Sequence, residues 1–73
     1  MSKLYTSKAI LKSLNKAGFQ KVSQKGSHIK LRGVSKGRIL TVIIPNHKVI
    51  AKGTFSSILR QAEMTKTEFE NFL

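Results

Sequence analysis

The chain has no cysteine, no aspartate, no tryptophan, a single proline and only three acidic residues among 73. Without cysteine there is neither a disulfide framework nor a thiolate metal site. Without aspartate a Ser-His-Asp catalytic set cannot form. Two histidines and three glutamates, the glutamates all near the C-terminus, make a poor ligand set, so neither a metal nor a cofactor is expected. No Gly-rich phosphate loop of nucleotide-binding spacing is present. No apolar run is long enough for a signal peptide or a membrane-spanning helix, so no membrane span is expected, and a reducing cytoplasm fits the lack of cysteine. There is no internal repeat, low-complexity stretch or linker. At 73 residues one domain over positions 1–73 is the expectation, and a domain of this size buries only roughly 60% of its unfolded surface.

What the chain has in excess is positive charge. Fourteen Lys+Arg oppose three Glu, a formal charge of +11. Glu63, Glu68 and Glu70 are the acids, and every basic residue except Lys66 precedes them. A fold made from residues 1–62 must therefore be strongly positive outside. Nucleic acid is the first partner this implies, an acidic protein the second and an anionic membrane the third.

Periodicity then divides the chain. Ile10, Leu11, Leu14 and Ala17 predict one apolar face of a helix from Ser7 to Ala17, with Thr6 or Ser7 as N-cap and Gly18 as C-terminal cap. Lys8, Lys12 and Lys16 recur on another face, as a rail for a phosphate backbone or as a solvated face. Phe19 to Gln24 predicts a short strand with Phe19 and Val22 as core contacts. His28 to Arg32 predicts a second strand, Gly33 to Gly37 a loop, and Arg38 to Ile44 a third strand rich in Ile, Val and Thr. Both faces of that third strand are apolar, which predicts a central or well-covered position with Leu40, Val42 and Ile44 toward the helices. Pro45 ends it. Thr54 is the expected N-cap of a second helix with Phe55, Ile58, Leu59 and Ala62 inward. A short last helix is expected from Thr65 or Lys66, with Glu68 near its start and Phe69, Phe72 and Leu73 packing back. The order is that of an α+β domain, one small antiparallel sheet with helices on one face.

The stretch Lys25-Gly26-Ser27-His28-Ile29-Lys30-Leu31-Arg32 stands out. Gly26 permits a turn. Beyond it Ile29 and Leu31 share one strand face and His28, Lys30 and Arg32 the other. An imidazole flanked by fixed cations can hold a phosphate beside a group that moves a proton at neutral pH. Lys52, beside the start of the second helix, is a further candidate for phosphate contact, against ordinary capping there.

These pieces resemble a known family. Ala17-Gly18-Phe19, Gln24 to Lys30, Val42-Ile43-Ile44-Pro45-Asn46-His47 and Lys52 to Ala62 are similar, in order and spacing, to the HicA-type mRNA interferases, the toxin half of a bacterial or archaeal toxin–antitoxin pair. The resemblance implies a double-stranded-RNA-binding-domain-like fold, α-β-β-β-α, here with a short C-terminal helix. It implies an RNA-cleaving toxin whose catalytic histidine is His28, acting on mRNA and neutralised by a HicB-type antitoxin. Two positions depart from the commonest pattern. Ile29 stands where a second histidine is frequent, and Glu63-Met64 replaces a frequent glycine after the second helix.

RNA carries its own nucleophile in the 2′-OH, so cleavage needs a proton taken, phosphorane charge stabilised and a 5′-oxygen released. His28 is the candidate for proton transfer. Lys25, Lys30 and Arg32 are candidates to hold the phosphate, Gly26 and Ser27 to approach it, and Lys8, Lys12 and Lys52 to extend the contact. His47 either shapes the groove, binds a partner, or is the second acid/base of a two-proton mechanism. A non-catalytic RNA-binding module and an interaction protein with an acidic partner are the competing functions.

Overall fold

Thr6 starts the first helix: its hydroxyl accepts the Ala9 N–H at 3.0 Å, and α1 runs Ser7–Lys16. The computed structural model describes residues 4–73. Ile10 and Leu14 are fully buried on the inner side of α1. The helix stops at a Schellman turn. Gly18, at φ 106°, donates to Asn15 O, and Phe19 N–H donates to Leu14 O at 2.9 Å. That turn drops the Phe19 ring into the core at the entrance to the sheet.

Three antiparallel strands follow, β1 (Gln20–Lys25), β2 (His28–Ser35) and β3 (Arg38–Pro45), in spatial order β1-β2-β3. β2 is regular from end to end against β3, and its side chains alternate: Ile29, Leu31 and Gly33 point to the helices and His28, Lys30 and Arg32 away. On β3, Leu40, Val42 and Ile44 face the helices as expected.

Three expectations about the strands are corrected. Val22 is not core. The β1–β2 register slips between Lys21 and Ser23, leaving Val22 as the extra residue of a bulge at 48% exposure. The segment from Gly33 is not a loop. β2 continues to Ser35, and only Lys36-Gly37 turn, both at positive φ (53° and 77°), the pattern of a two-residue type I′ hairpin. Gly33 lies inside the strand because the Phe19 ring occupies its side-chain space; a Cβ there would sit 2.7 Å from the ring. Finally, β3 is an edge strand and not a central one. Its second face is open, with Ile39 70% exposed, and its outer edge is partly satisfied by Gln61, whose Oε1 accepts the Ile43 N–H at 2.9 Å.

After β3 the chain returns past an isolated bridge, Tyr5 to Ile50, and forms α2 (Lys52–Gln61) and α3 (Lys66–Asn71). Ala51, without a side-chain cap, precedes α2. Thr54 is therefore inside the first turn and not its N-cap: the bridge releases the chain at Ile50, and the helix begins directly after it. α3 carries a full capping box between Thr65 and Glu68. The Thr65 backbone and hydroxyl bonds hold the Glu68 carboxyl below its usual range, with Lys36 adding to the effect. Phe69 is fully buried, Phe72 only half so, and Leu73, expected to pack inward, is 44% exposed.

One apolar cluster joins the layers. At its helical end Tyr5, Phe55 and Phe69 form a triad with ring centroids 5.0–5.2 Å apart, two of the pairs edge-to-face. Ser13, fully buried on α1, donates to Phe69 O at 2.8 Å and ties α1 to α3. The element order is α-β-β-β-α with a short terminal helix, an α+β fold.

Two substitutions test this account. Gly33→Ala forces a methyl group into the Phe19 ring and is expected to cost about 1–3 kcal/mol in denaturant unfolding; wild-type stability would contradict the packing described. Glu63 occupies, at φ 52°, the left-handed position of the Schellman turn that ends α2, where Glu63 and Met64 N–H groups donate to Arg60 O and Leu59 O. Glu63→Gly is expected to be more stable than Glu63→Ala by ~1 kcal/mol, a melting difference of roughly 4–8 °C.

Candidate functional site

The β1–β2 hairpin closes in two residues. Lys25 pairs with His28 across a turn of Gly26 and Ser27, with Gly26 at φ 59° and Ser27 at ordinary φ, the type II′ pattern. Only a residue without a Cβ fits that first turn position easily, so Gly26 fixes where Ser27 and His28 stand. His28 is exposed at the first position of β2, and its imidazole makes no hydrogen bond or ion pair among the described residues.

Because β2 is regular, Lys30 and Arg32 do share the strand face of His28. Their cross-strand partners share it too. Lys25 and Pro45 flank His28, Ser23 and Ile43 flank Lys30, and Gln20 and Thr41 flank Arg32. The open side of the sheet thus carries Lys25, His28, Lys30 and Arg32 together, with Gly26 and Ser27 at the end of the row. The same face ends in two aliphatic side chains, Val34, expected in a loop, and Ile39, expected to be covered, which pair across β2 and β3 at 68% and 70% exposure.

The remaining candidates lie elsewhere. Lys8 and Lys12 are exposed on α1, in the helical layer and not on the sheet face. A shallow groove along α1 is lined by both, together with Thr6, Ala9, Leu11 and Asn15. Lys52 is in the first turn of α2 and lines a separate depression with Leu4, Tyr5, Phe55 and Lys66. No hydrogen bond and no strand pairing ties Lys52 to the His28 turn.

What links α1 to the His28 turn is the chain leaving β3. Asn46 N–H donates to Ser27 O at 2.6 Å. His47 N–H turns back to Pro45 O at 3.1 Å, and His47 O accepts the Ser7 N–H at the start of α1 at 3.2 Å. Ser7 Oγ donates to Asn46 Oδ1 at 3.3 Å. An open cleft lies at this junction, lined by Ser7, Lys8, Asn46, His47 and Lys48 among others, and it shares Thr6 and Lys8 with the groove along α1. Cations therefore run around one end of the sheet, from Arg32 and Lys30 past His28 to Lys48, Lys8 and Lys12. Sequence reasoning missed Lys48 and the role of Asn46. The available signal was Pro45, which ends a strand and so sends the next residues back over a sheet end.

No carboxylate opposes this row. Glu63 pairs with Arg38, Glu68 is held by Thr65, and Glu70 accepts the Tyr5 hydroxyl at 2.9 Å. The bond to Glu70, with burial, raises the Tyr5 phenol above its ordinary pKa. Among the described residues no three His, Cys, Asp or Glu side chains come together, and no helix is long and apolar enough to cross a membrane. What this end of the molecule offers is one imidazole on the sheet face, a second at the strand exit, and fixed positive charge, the chemistry that grips a phosphodiester and moves protons near it.

A family model described as the HicA toxin of bacterial toxin-antitoxin matches residues 6–64. A search of curated proteins finds no match. If the α1 cations engage a phosphate backbone, Lys8→Glu with Lys12→Glu is expected to weaken binding of single-stranded RNA and to flatten its log–log salt dependence by about 1.4, two contacts' worth. The circular dichroism spectrum and melting temperature should stay nearly unchanged, since both side chains are exposed. Unaltered affinity and salt slope would leave the α1 lysines as solvent-facing charge.

Proposed function

The chain belongs to the HicA toxin family, matched from residue 6 to residue 64, and so is the toxin of a toxin–antitoxin pair with a cognate antitoxin as partner; from that premise we propose that it is an mRNA interferase, an endoribonuclease that cuts by acid/base catalysis at His28 without a metal. The observation that supports this reading is the position of His28: exposed at the first residue of β2, opposite Lys25, and on one face with Lys30 and Arg32.

The chemistry follows from the substrate. A ribose 2′-OH beside the scissile phosphate is deprotonated and attacks phosphorus. Negative charge grows on the non-bridging oxygens, and the 5′-oxygen leaves. His28 exchanges a proton with the reacting oxygens, a contribution of roughly 10²–10⁴-fold. Lys25, Lys30 and Arg32 hold the phosphate and stabilise its developing charge, worth more there than free cations because the strands fix where they stand. Gly26 keeps the turn free of a side chain, and the Ser27 hydroxyl donates to a phosphate oxygen. Lys8 and Lys12 extend the grip along the strand of RNA, and Lys52 is the outlying member of the set. DNA, lacking the 2′-OH, is bound but left intact. In this reading the antitoxin is HicB-type, the substrate is cytoplasmic mRNA, and no membrane or cofactor takes part.

The test is incubation of the purified protein with single-stranded RNA in EDTA, beside His28→Ala. The wild type is expected to cut and the variant to lose at least ~10² of the rate while keeping RNA affinity and melting temperature, because the ring is exposed. Equal binding with no cleavage by either protein would instead identify a non-catalytic RNA-binding module. Unfolding of the variant would make His28 a structural residue.

A further inference from the structure

Transesterification at a phosphodiester moves two protons, one off the 2′-oxygen and one onto the 5′-oxygen. A single side chain can do both only by turning over within one step, and enzymes divide the work when a second titratable group is in reach. This chain has few groups to offer. There is no aspartate or cysteine. All three glutamates are engaged away from the His28 turn, with Arg38, with Thr65 and with Tyr5. Tyr5 is itself buried and gives its hydroxyl to Glu70. The lysines and arginines near the turn are the groups assigned to hold the phosphate, as charge and not as proton carriers. By elimination the second group is the other histidine, and the chain has only two.

Geometry supports the same residue independently. β3 leaves the sheet at Pro45, the cross-strand partner of His28. His47 follows two residues later, in a tight turn closed by its own N–H on Pro45 O. Strand spacing and the reach of two residues of chain keep the two histidine Cα atoms within ~12 Å, a gap that one phosphodiester fills. The turn is fixed on both sides, by Asn46 N–H on Ser27 O next to His28 and by Ser7 N–H on His47 O at α1. His47 is exposed, and it lines an open cleft with Lys8 from α1 and Lys48 from its own loop. Those two lysines are the charged groups that line the cleft with it, and no carboxylate does; Lys25 stands across from His28 on the other side of the corner.

We infer that His47 is the second catalytic residue, paired with His28 across the Pro45 corner. The inference rests on the ribonuclease reading above and deepens it. One imidazole, neutral, takes the 2′-OH proton as the 2′-oxygen bonds to phosphorus. The other, protonated, gives its proton to the 5′-oxygen as the P–O5′ bond breaks. The products are a 2′,3′-cyclic phosphate and a 5′-hydroxyl, and the two histidines end with their proton states exchanged.

The experiment measures kcat and KM on a single-stranded RNA from mildly acid to mildly alkaline pH, in EDTA, for the wild type, His28→Gln and His47→Gln. The wild type is expected to give a bell-shaped kcat profile. His47→Gln is expected to lower kcat by ~10² or more with KM little changed, and to lose one limb of the bell, while His28→Gln loses the other. An RNA with sulfur in place of the scissile 5′-oxygen, whose leaving group needs no proton, should restore one of the two variants and not the other. Wild-type kcat with both limbs intact in His47→Gln overturns the inference, and so does a raised KM at unchanged kcat, which would make His47 a binding residue. Should His47→Gln melt early, His47→Ala with imidazole added to the buffer replaces it; rescue of kcat supports the pair and its absence overturns it. Full activity in His47→Gln beside a dead His28→Gln leaves the ribonuclease reading standing alone, whereas a wild type that leaves RNA intact overturns both.

Discussion

Mutual repulsion among fourteen cations is the constraint under which the rest of this structure is arranged. With so few acids, charge pairing cannot hold the chain together, and an exposed pair adds little in any case. Cohesion has to come from apolar surface. The fold obtains it from one face of β2 and β3, the inner side of α1 and α2, and the Tyr5–Phe55–Phe69 triad, with no cation buried among the described residues. The three carboxylates then have local duties. Glu63 meets Arg38 at the end of α2, Glu68 caps α3, and Glu70 receives Tyr5. Each of these duties lies away from the β1–β2 turn, so the field there is left uncompensated.

An uncompensated field becomes a site only if its charges are fixed, and here backbone geometry fixes them. The type II′ turn at Gly26 sets His28 at the head of β2, and the regular register carries that placement to Lys30 and Arg32. At the same end three chain segments are joined by backbone hydrogen bonds, Ser27 to Asn46 and His47 to Ser7. The corner that carries both histidines is therefore continuous with the start of α1, whose Ile10 and Leu14 are in the core. Packing and chemistry are coupled through α1 without any of the candidate side chains being buried for stability.

Much of this was legible in the sequence, and the exceptions have identifiable causes. The α1 caps, the alternation around Ile29 and Leu31, and the inward set Leu40, Val42 and Ile44 all follow from local pattern, which a short strand or helix cannot escape. His28 with Lys30 and Arg32 on one face follows from strand periodicity alone. Residues whose state depends on a distant partner were not readable. Gly33 looks like a loop residue until the Phe19 ring is placed over it. Ile39 looks buried, yet the spatial strand order makes β3 an edge with an open face. Val22 lies in a bulge that no hydrophobic pattern announces. Thr54 has the chemistry of a cap but is overtaken by a helix that begins as soon as the Tyr5–Ile50 bridge ends. Grouping the lysines needed the fold as well: Lys8 and Lys12 reach the His28 end only through the Asn46–His47 turn, and Lys52 does not join them.

A native state carrying this much like charge on fixed positions is less stable than its apolar core alone would make it, because compaction brings the cations closer than they are in the unfolded chain. Any polyanion that binds the folded form and not the unfolded one relieves that repulsion and adds its own binding free energy to stability. Salt relieves part of it by screening, since several of these side chains lie nearer one another than a Debye length. The surface that suits a phosphate backbone also suits an acidic protein, and either kind of ligand would draw on the same electrostatic relief. The exposed Val34–Ile39 pair is the one part of the open sheet face that charge does not dominate. A phosphate backbone gains nothing from two aliphatic side chains, whereas a protein that buries them gains apolar contact as well as charge. In a chain so nearly uniform in sign, discrimination between the two kinds of ligand has to come from what is not charged.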